Sequence, residues 1–124
     1  MDNTMFLYET VSGRCPVAAF LESLPPKQHA KAVRSLELLE EFGQSLQGGA
    51  VAHIRGKLWE LRIRFAGDSL RILYCIPSGN TFVLLHGFVK KTRKTPPGEI
   101  EIAQNRMNDH LARMGSHEDI EGTH

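Results

Sequence analysis

The chain has 124 residues, of which 41% are hydrophobic and 23% charged, a size and composition that predict one globular domain and exclude a mainly disordered chain. Its two cysteines, Cys15 and Cys75, lack the spacing of a disulfide framework or a zinc site, and Cys75 lies in an apolar run typical of a buried packing residue. The acidic N-terminus and the short apolar runs predict neither a signal peptide nor a membrane span, so we expect a cytoplasmic protein.

Charge is distributed unevenly along the chain. The segment from His53 to Lys94 contains nine basic and two acidic residues, a net charge of +7, whereas the remainder contains six basic and twelve acidic residues, a net charge of −6. The net charge of +1 therefore hides a cationic segment, which is expected to attract phosphates or an acidic partner.

The first half of the chain predicts one strand and two helices. Phe6 to Val11 is typical of a strand, and a helix is predicted from Pro16 to about Ser23 because proline suits a first helical position. A second helix is predicted from Pro25-Pro26 to Gly43, followed by a loop over residues 44–51.

Three strands are predicted next. In Leu58 to Phe65 the odd positions are apolar and the even positions carry Glu60, Arg62 and Arg64, which is the alternation of a half-buried strand. A turn at Gly67-Asp68 leads to a strand from Leu70 to Ile76 whose even positions are apolar. After a turn at residues 77–80, the apolar run from Thr81 to Val89 predicts a strand covered on both faces.

The last predicted element is a helix that begins near Thr95-Pro96-Pro97, where threonine can cap and proline can take the first helical position. The domain is expected to span residues 1–114, and the polar residues 115–124 are expected to form a disordered tail. The predicted order is β-α-α-β-β-β-α, an α+β fold with a small antiparallel sheet, two N-terminal helices and one C-terminal helix.

The predicted hairpin carries a cluster of arginines. A two-residue loop at Gly67-Asp68 would place Arg64 opposite Arg71 and Arg62 opposite Leu73, so that three guanidinium groups share one face. Opposed like charges repel, and a bound polyanion would relieve that repulsion, so the face is a candidate phosphate site. The alternative is a solvated sheet face on which Glu60 is a local partner and the charges prevent aggregation.

A second group of cations follows the last predicted strand and consists of Lys90, Lys91, Arg93 and Lys94. Together with the arginine cluster of the hairpin, it would flank one cleft. Neutralisation of several phosphates by both groups predicts steeply salt-dependent binding, and the other basic residues of the segment are candidate phosphate contacts. The candidate nucleic-acid-binding residues are Arg55, Lys57, Arg64, Lys90, Arg93 and Lys94. Lys91, from the same tract, is placed with Arg62 and Arg71 as a candidate phosphate contact in catalysis.

His86 is the best candidate for acid–base work, because its ordinary pKa is ~6.5. Its parity with Phe82, Leu84 and Phe88 equally predicts a hydrogen-bonded core histidine. No metal-ligand spacing, glycine-rich phosphate loop, Ser/His/Asp signature or paired-carboxylate pattern is present. Phosphate chemistry by cations, without a metal, is the reaction that the sequence could support.

Three blocks occur in a recognisable order: GKLWELR at 56–62, LRILY at 70–74 and LLHGFVKK at 84–91, followed by Thr95-Pro96 and EIEIA at 99–103. They resemble the HigB-like, phage-derived branch of the RelE superfamily, and the resemblance covers roughly residues 5–113. It implies a RelE-like fold and a toxin that cuts mRNA in the ribosomal A site, where the ribose 2′-OH attacks the adjacent phosphate.

The resemblance also implies partners and site residues. Ribosome and mRNA would be bound without a metal or an organic cofactor, and a cognate antitoxin, often a helix-turn-helix protein, would cover the basic cleft. Arg71 matches the family's phosphate-binding arginine, and Arg62 occupies a basic position on the preceding strand. Lys90, Lys91 or Arg93 can fill the cationic position after the last strand.

Two departures from RelE keep other functions open. Glu60 stands where RelE has a second lysine, and RelE's tyrosine near the C-terminal helix has no counterpart, since the chain has only Tyr8 and Tyr74. One alternative is a non-catalytic module that binds RNA or an acidic protein and inhibits translation or regulates its operon with an antitoxin. Another is a toxin-like protein that acts only in operator binding with that antitoxin.

Overall fold

The computed structural model describes residues 3–46, 48–91 and 94–122, with side chains described as far as Met114. In these ranges the chain forms a five-stranded sheet and three α-helices, which confirms the α+β class. The elements, in chain order, are β1 (Thr4–Leu7), α1 (Pro16–Ser23), α2 (Pro26–Phe42), a 3-10 turn (Gly43–Ser45), β2 (Val51–Arg55), β3 (Leu58–Phe65), β4 (Asp68–Ser78), β5 (Thr81–Lys90) and α3 (Pro97–Gly122).

The sheet has the strand order β1-β5-β4-β3-β2 and is mixed, so the prediction of a purely antiparallel sheet was wrong. β1 runs parallel to β5, and the Tyr8 amide extends this pairing by donating to the Leu84 carbonyl at 2.9 Å. β2 is an additional antiparallel strand on the outer edge of β3. The sequence did not predict β2 because its residues lack a strong strand pattern. β2 is a strand through its pairing with β3.

β1 lies earlier than the predicted strand, which ran from Phe6 to Val11. The backbone folds back after Tyr8, where the Thr10 amide donates to the Arg14 carbonyl and the Gly13 amide donates to the Thr10 carbonyl. Val11 is consequently 85% exposed instead of forming part of the sheet. The local apolar composition predicted a strand at roughly the right place, but this turn determines where it ends.

Helices α1 and α2 cover one face of the sheet and agree closely with their predicted bounds. Their buried residues Val17, Ala32, Leu36 and Leu39 pack against a strand surface formed by Leu61, Ile63, Leu70, Ile72 and Tyr74. These strand residues occupy the odd positions of β3 and the even positions of β4, which confirms the predicted alternation. α2 ends at Phe42 and is capped by Gly43, whose φ of 58° suits a residue without a Cβ atom.

Helix α3 covers part of the opposite face. Its buried residues Ala103 and Met107 pack against a cluster that includes Leu73, Val83 and Leu85. β5 is therefore buried on both faces over most of its length, as predicted. The backbone of residues 115–122, which belong to the predicted tail, continues α3, and residues 123–124 lie outside the described residues. The disorder of the tail stays a prediction.

Towards the β3–β4 turn, this second face carries polar groups instead of apolar ones. We call this surface the arginine face and define it as Glu60, Arg62, Arg64, Ser69, Arg71 and Lys90, the residues that the strand register places side by side. The predicted register was wrong by one pair: Arg62 lies opposite Arg71, and Arg64 lies opposite Ser69. The turn is formed by Ala66-Gly67, not by Gly67-Asp68, because Phe65 pairs with Asp68.

Candidate functional site

Arg62 and Arg71 form the centre of the arginine face. They are opposed residues of β3 and β4, so that their side chains leave the same face of the sheet. The Arg62 side chain is 43% exposed, whereas that of Arg71 is 11% exposed. The opposition of two guanidinium groups, which the sequence predicted for Arg64 and Arg71, therefore exists at a different pair.

The guanidinium of Arg71 is buried without satisfying its hydrogen-bonding capacity. Among the described residues, its Nε and Nη1 atoms have no hydrogen-bond partner, and the neighbouring Ser69 hydroxyl also has none. Nη1 lies 3.5 Å from Glu60 Oε1, within the range of an ion pair. Burial, and then the nearby Arg62 and Arg64, lower the pKa of Arg71, while Glu60 opposes that shift. A buried donor without a partner is a place where a ligand oxygen can bind.

Glu60 is the acidic component of the arginine face and is 1% exposed. Its Oε1 atom accepts a hydrogen bond from Arg62 Nε at 3.0 Å, and its Oε2 atom accepts one from the Thr95 hydroxyl. The sequence indicated Glu60 only as a local partner of the arginines and as a departure from RelE. Its even position in β3, shared with Arg62, was the signal that it belongs to the same face.

Lys90 is the third cation of the cluster, and it is only 8% exposed. It lies opposite Ser69 at the end of β5, next to the position of Arg71. Burial, followed by the charges of Arg71 and Arg62, lowers its pKa, while Glu60 opposes the shift. The structure thus places Lys90 in the cluster, whereas Lys91, the residue chosen from the sequence, follows β5 as an exposed side chain.

The remaining candidate RNA-binding residues are scattered. Arg64 is an exposed neighbour of the cluster, and Lys94 is exposed in the segment before α3. Arg93 lies outside the described residues. Arg55 and Lys57 lie at the opposite end of the strands, about 13 Å along the sheet from the level of Arg62. The structure does not bring Arg55 and Lys57 together with the arginine face.

His86 lies on the same side of the sheet, beneath α3, and its side chain is 14% exposed. Its Nε2 atom is 2.8 Å from Glu99 Oε1, and its Nδ1 atom is 3.2 Å from Arg106 Nη1. An arginine can only donate, so Nδ1 accepts and Nε2 carries the proton shared with Glu99. Both ring nitrogens are therefore engaged in holding α3 on β5, which favours the interpretation of a hydrogen-bonded core histidine.

The arginine face can bind an anion by charge and by geometry. The guanidinium groups of Arg62 and Arg71 offer forked donors that match phosphate oxygens, and Lys90 adds a positive charge beside them. Glu60 neutralises one of these charges, so the cluster remains cationic. Among residues 3–46, 48–91 and 94–114, no group of three or more histidine, cysteine or carboxylate side chains could hold a metal ion.

A comparison with protein-family models matches residues 19–108 to the family described as phage-derived protein Gp49-like (DUF891). The chain belongs to this family. The Gp49-like family is RelE-like and associated with toxin–antitoxin systems, and RelE-type toxins are endoribonucleases. The matched segment of this Gp49-like chain contains the whole arginine face and His86. A comparison of the chain with curated proteins found no match.

Other features of this Gp49-like chain accompany the site without contributing to it. Cys75 is fully buried, and burial raises the pKa of its thiol to about 12, in agreement with the predicted packing role. Within the described part of the chain, no helix has the length and apolar character needed to cross a bilayer.

Proposed function

We propose that this protein is the toxin of a toxin–antitoxin pair and a ribosome-dependent mRNA endonuclease, in the HigB-like branch of its superfamily. The observation that carries the proposal is the buried guanidinium of Arg71, whose Nε and Nη1 atoms lack a hydrogen-bond partner within the described part of the chain and which lies among cations on one face of the sheet. Membership of a toxin–antitoxin-associated family related to endoribonucleases supports RNA as the anion and an antitoxin as the partner.

In the proposed reaction, the ribose 2′-oxygen attacks the adjacent phosphorus while the bond to the 5′-oxygen breaks, and the products are a 2′,3′-cyclic phosphate and a 5′-hydroxyl. Arg71 and Arg62 bind the phosphate and stabilise the charge that develops on its oxygens. Lys90 and Lys91 add positive charge, and Arg64, Lys94 and Arg93 contact the flanking RNA. The ribosome positions the mRNA for in-line attack, so that orientation contributes much of the rate.

The proton transfers of this reaction have no assigned residue. A role for His86 stays a prediction, and its two engaged nitrogens favour the structural alternative. Glu60 is buried and both of its oxygens already accept hydrogen bonds.

These two observations favour one second candidate function. A non-catalytic module would use the same arginine face to bind RNA and inhibit translation, and it would need no proton donor or acceptor. This alternative predicts growth arrest without new RNA ends.

Induced expression in a bacterium, with mRNA 5′ ends mapped before and after translation initiation is blocked, tests the proposal. The wild-type chain should produce new ends inside coding sequences, and these should disappear without translation. Arg71→Ala should abolish them, whereas Arg55→Ala, which removes an equal charge at the opposite end of the sheet, should retain them. Growth arrest without new ends would support the binding module, and ends that persist without translation would exclude ribosome dependence.

A further inference from the structure

One carboxylate connects three separate parts of the chain on the arginine face. Glu60, on β3, accepts hydrogen bonds from Arg62 on the same strand and from Thr95 in the segment before α3. It also lies 3.5 Å from Arg71 Nη1 on β4. A side chain that is 1% exposed and contacts all three parts is fixed by the fold, because it has no room to adopt another orientation.

The burial of Glu60 has an electrostatic reason. Removing a carboxylate from water is unfavourable unless charges and hydrogen-bond donors replace the lost hydration, and here Arg62, Arg71 and Thr95 supply them. Conversely, Glu60 reduces the repulsion between the two opposed arginines. A residue that only balanced charge could do so from the surface, whereas Glu60 lies beneath the guanidinium groups and contacts defined atoms of each.

These contacts orient the arginines. Arg62 uses its Nε atom for Glu60, and with 43% of its side chain exposed it presents the remainder of its guanidinium to solvent. Arg71 directs Nη1 towards Glu60 and stays almost completely buried. Phosphate binding by two arginines depends on their mutual orientation, since forked donors act in fixed directions.

We propose that Glu60 is a positioning residue, which holds Arg62 and Arg71 in the orientation needed for phosphate and ties the segment before α3 to them through Thr95. This inference rests on the proposed function and deepens it. Glu60 acts through the arginines and does not touch the RNA. Its negative charge also weakens the electrostatic attraction of the arginine face for RNA. Glu60 therefore raises the cleavage rate and lowers the affinity for RNA.

In Glu60→Gln we therefore expect the cleavage rate to fall while the affinity for RNA stays equal or rises. The variant keeps the shape of the side chain but loses the charge that holds the guanidinium groups. Misplacement of groups that contact a reacting phosphate can lower the rate by about 10²-fold. The half-saturating concentration should stay equal or fall, because the face becomes more positive. Loss of a purely structural residue would lower the rate only through a smaller folded fraction.

The first experiment observes the arginines directly, by ¹H–¹⁵N NMR of the side-chain Nε–H groups in the full chain. The Arg62 Nε–H signal, assigned with Arg62→Lys, should be protected from exchange in the wild type because it donates to Glu60. This protection should be weaker in Glu60→Gln, because a neutral amide oxygen is a weaker acceptor than a carboxylate. The control is Asp68→Asn, which changes the net charge equally at an exposed position of the same hairpin and should retain the signal.

The second experiment measures single-turnover cleavage of mRNA on programmed ribosomes over a range of protein concentrations. Glu60→Gln should show the rate loss of about 10²-fold without a higher half-saturating concentration, and Asp68→Asn should match the wild type in both quantities. Thr95→Val serves if Glu60→Gln does not fold, as judged by thermal unfolding. It keeps the carboxylate, removes one of its hydrogen bonds, and should lower the rate without weakening binding.

The outcomes separate this inference from the proposed function. An Arg62 signal as well protected in Glu60→Gln as in the wild type, or an unchanged rate in a folded Glu60→Gln, would overturn the positioning role. A lower rate with unchanged arginine signals would also overturn it, since Glu60 would then act on the reaction directly. A wild-type protein that cuts no mRNA on ribosomes would contradict the proposed function, and the Arg62 signal alone would then decide whether Glu60 positions the arginines.

Discussion

At the scale of single residues, the arginine face combines features that are unfavourable for the free protein. Arg71 is buried, and two of its donor atoms lack a hydrogen bond to any described residue. Arg62 lies opposite it, and Lys90 has a lowered pKa beside them. Such arrangements persist where function requires them, because other contacts in the fold offset their cost. The arginine face is therefore expected to reduce stability while it supports activity.

Replacement of the buried Glu60–Arg71 pair by Gln and Met tests this opposition. The double variant Glu60→Gln/Arg71→Met removes both buried charges and keeps much of the side-chain volume, so the free energy of unfolding should rise by about 1 kcal/mol. Cleavage should be lost in the same variant. Chemical denaturation of the double variant and of the exposed control Arg64→Met measures the effect, and the control should change by less than about 0.5 kcal/mol. Destabilisation by the double variant would show that the two charges compensate each other well in the free protein.

His86 gives a second prediction at this scale. His86→Asn should lower the melting temperature, because the side chain can no longer bridge Glu99 and Arg106 beneath α3. The cleavage rate of the folded variant should remain close to that of the wild type. A rate lower by about 10²–10⁴-fold, at unchanged folded fraction, would instead identify His86 as the proton-transfer residue.

The sequence predicted the composition of the site better than its geometry. The even positions of β3 placed Arg62 and Arg64 on one face, and parity allowed Arg71 to join them. The exact pairs depended on the turn, and a shift by one pair exchanges Arg64 for Arg62 without changing which residues are apolar. The exchange of Lys91 for Lys90 has a similar cause, because adjacent residues of a strand point to opposite faces and a tract of cations does not reveal its own parity.

At the scale of elements, the hairpin of β3 and β4 positions the arginines, and its turn is not optimal. Ala66 has a φ of 52°, a conformation that an L-residue with a Cβ atom rarely adopts. Gly67, which could adopt a positive φ without strain, does not adopt one. The sequence suggested Gly67-Asp68 as the turn because glycine usually marks the positive φ, and this chain places alanine there instead.

Ala66→Gly should therefore stabilise the protein. The left-handed conformation costs about 1 kcal/mol for a residue other than glycine, and part of this gain is offset by the greater freedom of glycine in the unfolded chain. We expect the free energy of unfolding to rise by roughly 0.5 kcal/mol in chemical denaturation. Gly67→Ala is the matched control and should be tolerated, since a Cβ atom at position 67 meets no atom within 4 Å. A loss of stability in Ala66→Gly would contradict the described turn.

Helix α3 is held on the sheet partly by polar contacts, and one of them gives a pH prediction. The Tyr8 hydroxyl donates to Asp109 at 2.6 Å, and this hydrogen bond, followed by Arg113, holds the pKa of Asp109 below its usual range. A depressed carboxyl pKa stabilises the fold above the ordinary value of about 3.9, and this stability is lost as the pH falls through the lower pKa of the folded state.

Tyr8→Phe should raise the pKa of Asp109 towards its ordinary value and reduce the acid dependence of stability. Carboxyl ¹³C NMR of Asp109 and thermal unfolding between neutral and acid pH measure the two effects. Asp109→Asn should show the same weakened acid dependence as Tyr8→Phe. An unchanged Asp109 titration in Tyr8→Phe would contradict the described hydrogen bond.

The elements themselves were largely predictable where periodicity was strong, as in α1, α2 and β3. The edges of the sheet were less so. β1 is parallel to β5, a pairing between distant parts of the chain, and β2 is a strand because β3 offers it an edge. Such interactions depend on the assembled fold, and local sequence patterns do not encode them.

At the scale of the whole molecule, the two faces of the sheet differ in composition. The face beneath α1 and α2 is largely apolar, whereas the other divides between apolar contacts with α3 and the arginine face. The charge asymmetry of the sequence becomes a smaller cationic site than expected, because Arg55 and Lys57 lie at the far end of the strands. Family membership indicates a toxin–antitoxin type of protein, and the arginine face supplies a physical basis for the proposed binding of RNA.

The most direct test of the proposed activity is the chemistry of the RNA ends in a purified system that contains ribosomes, a defined mRNA and the full chain. Cleavage should occur only when the mRNA is bound to ribosomes and should leave 2′,3′-cyclic phosphate and 5′-hydroxyl ends, and Arg71→Ala should not cleave. Cleavage of free mRNA, products with 3′-hydroxyl and 5′-phosphate ends, or full activity of Arg71→Ala would contradict the proposal.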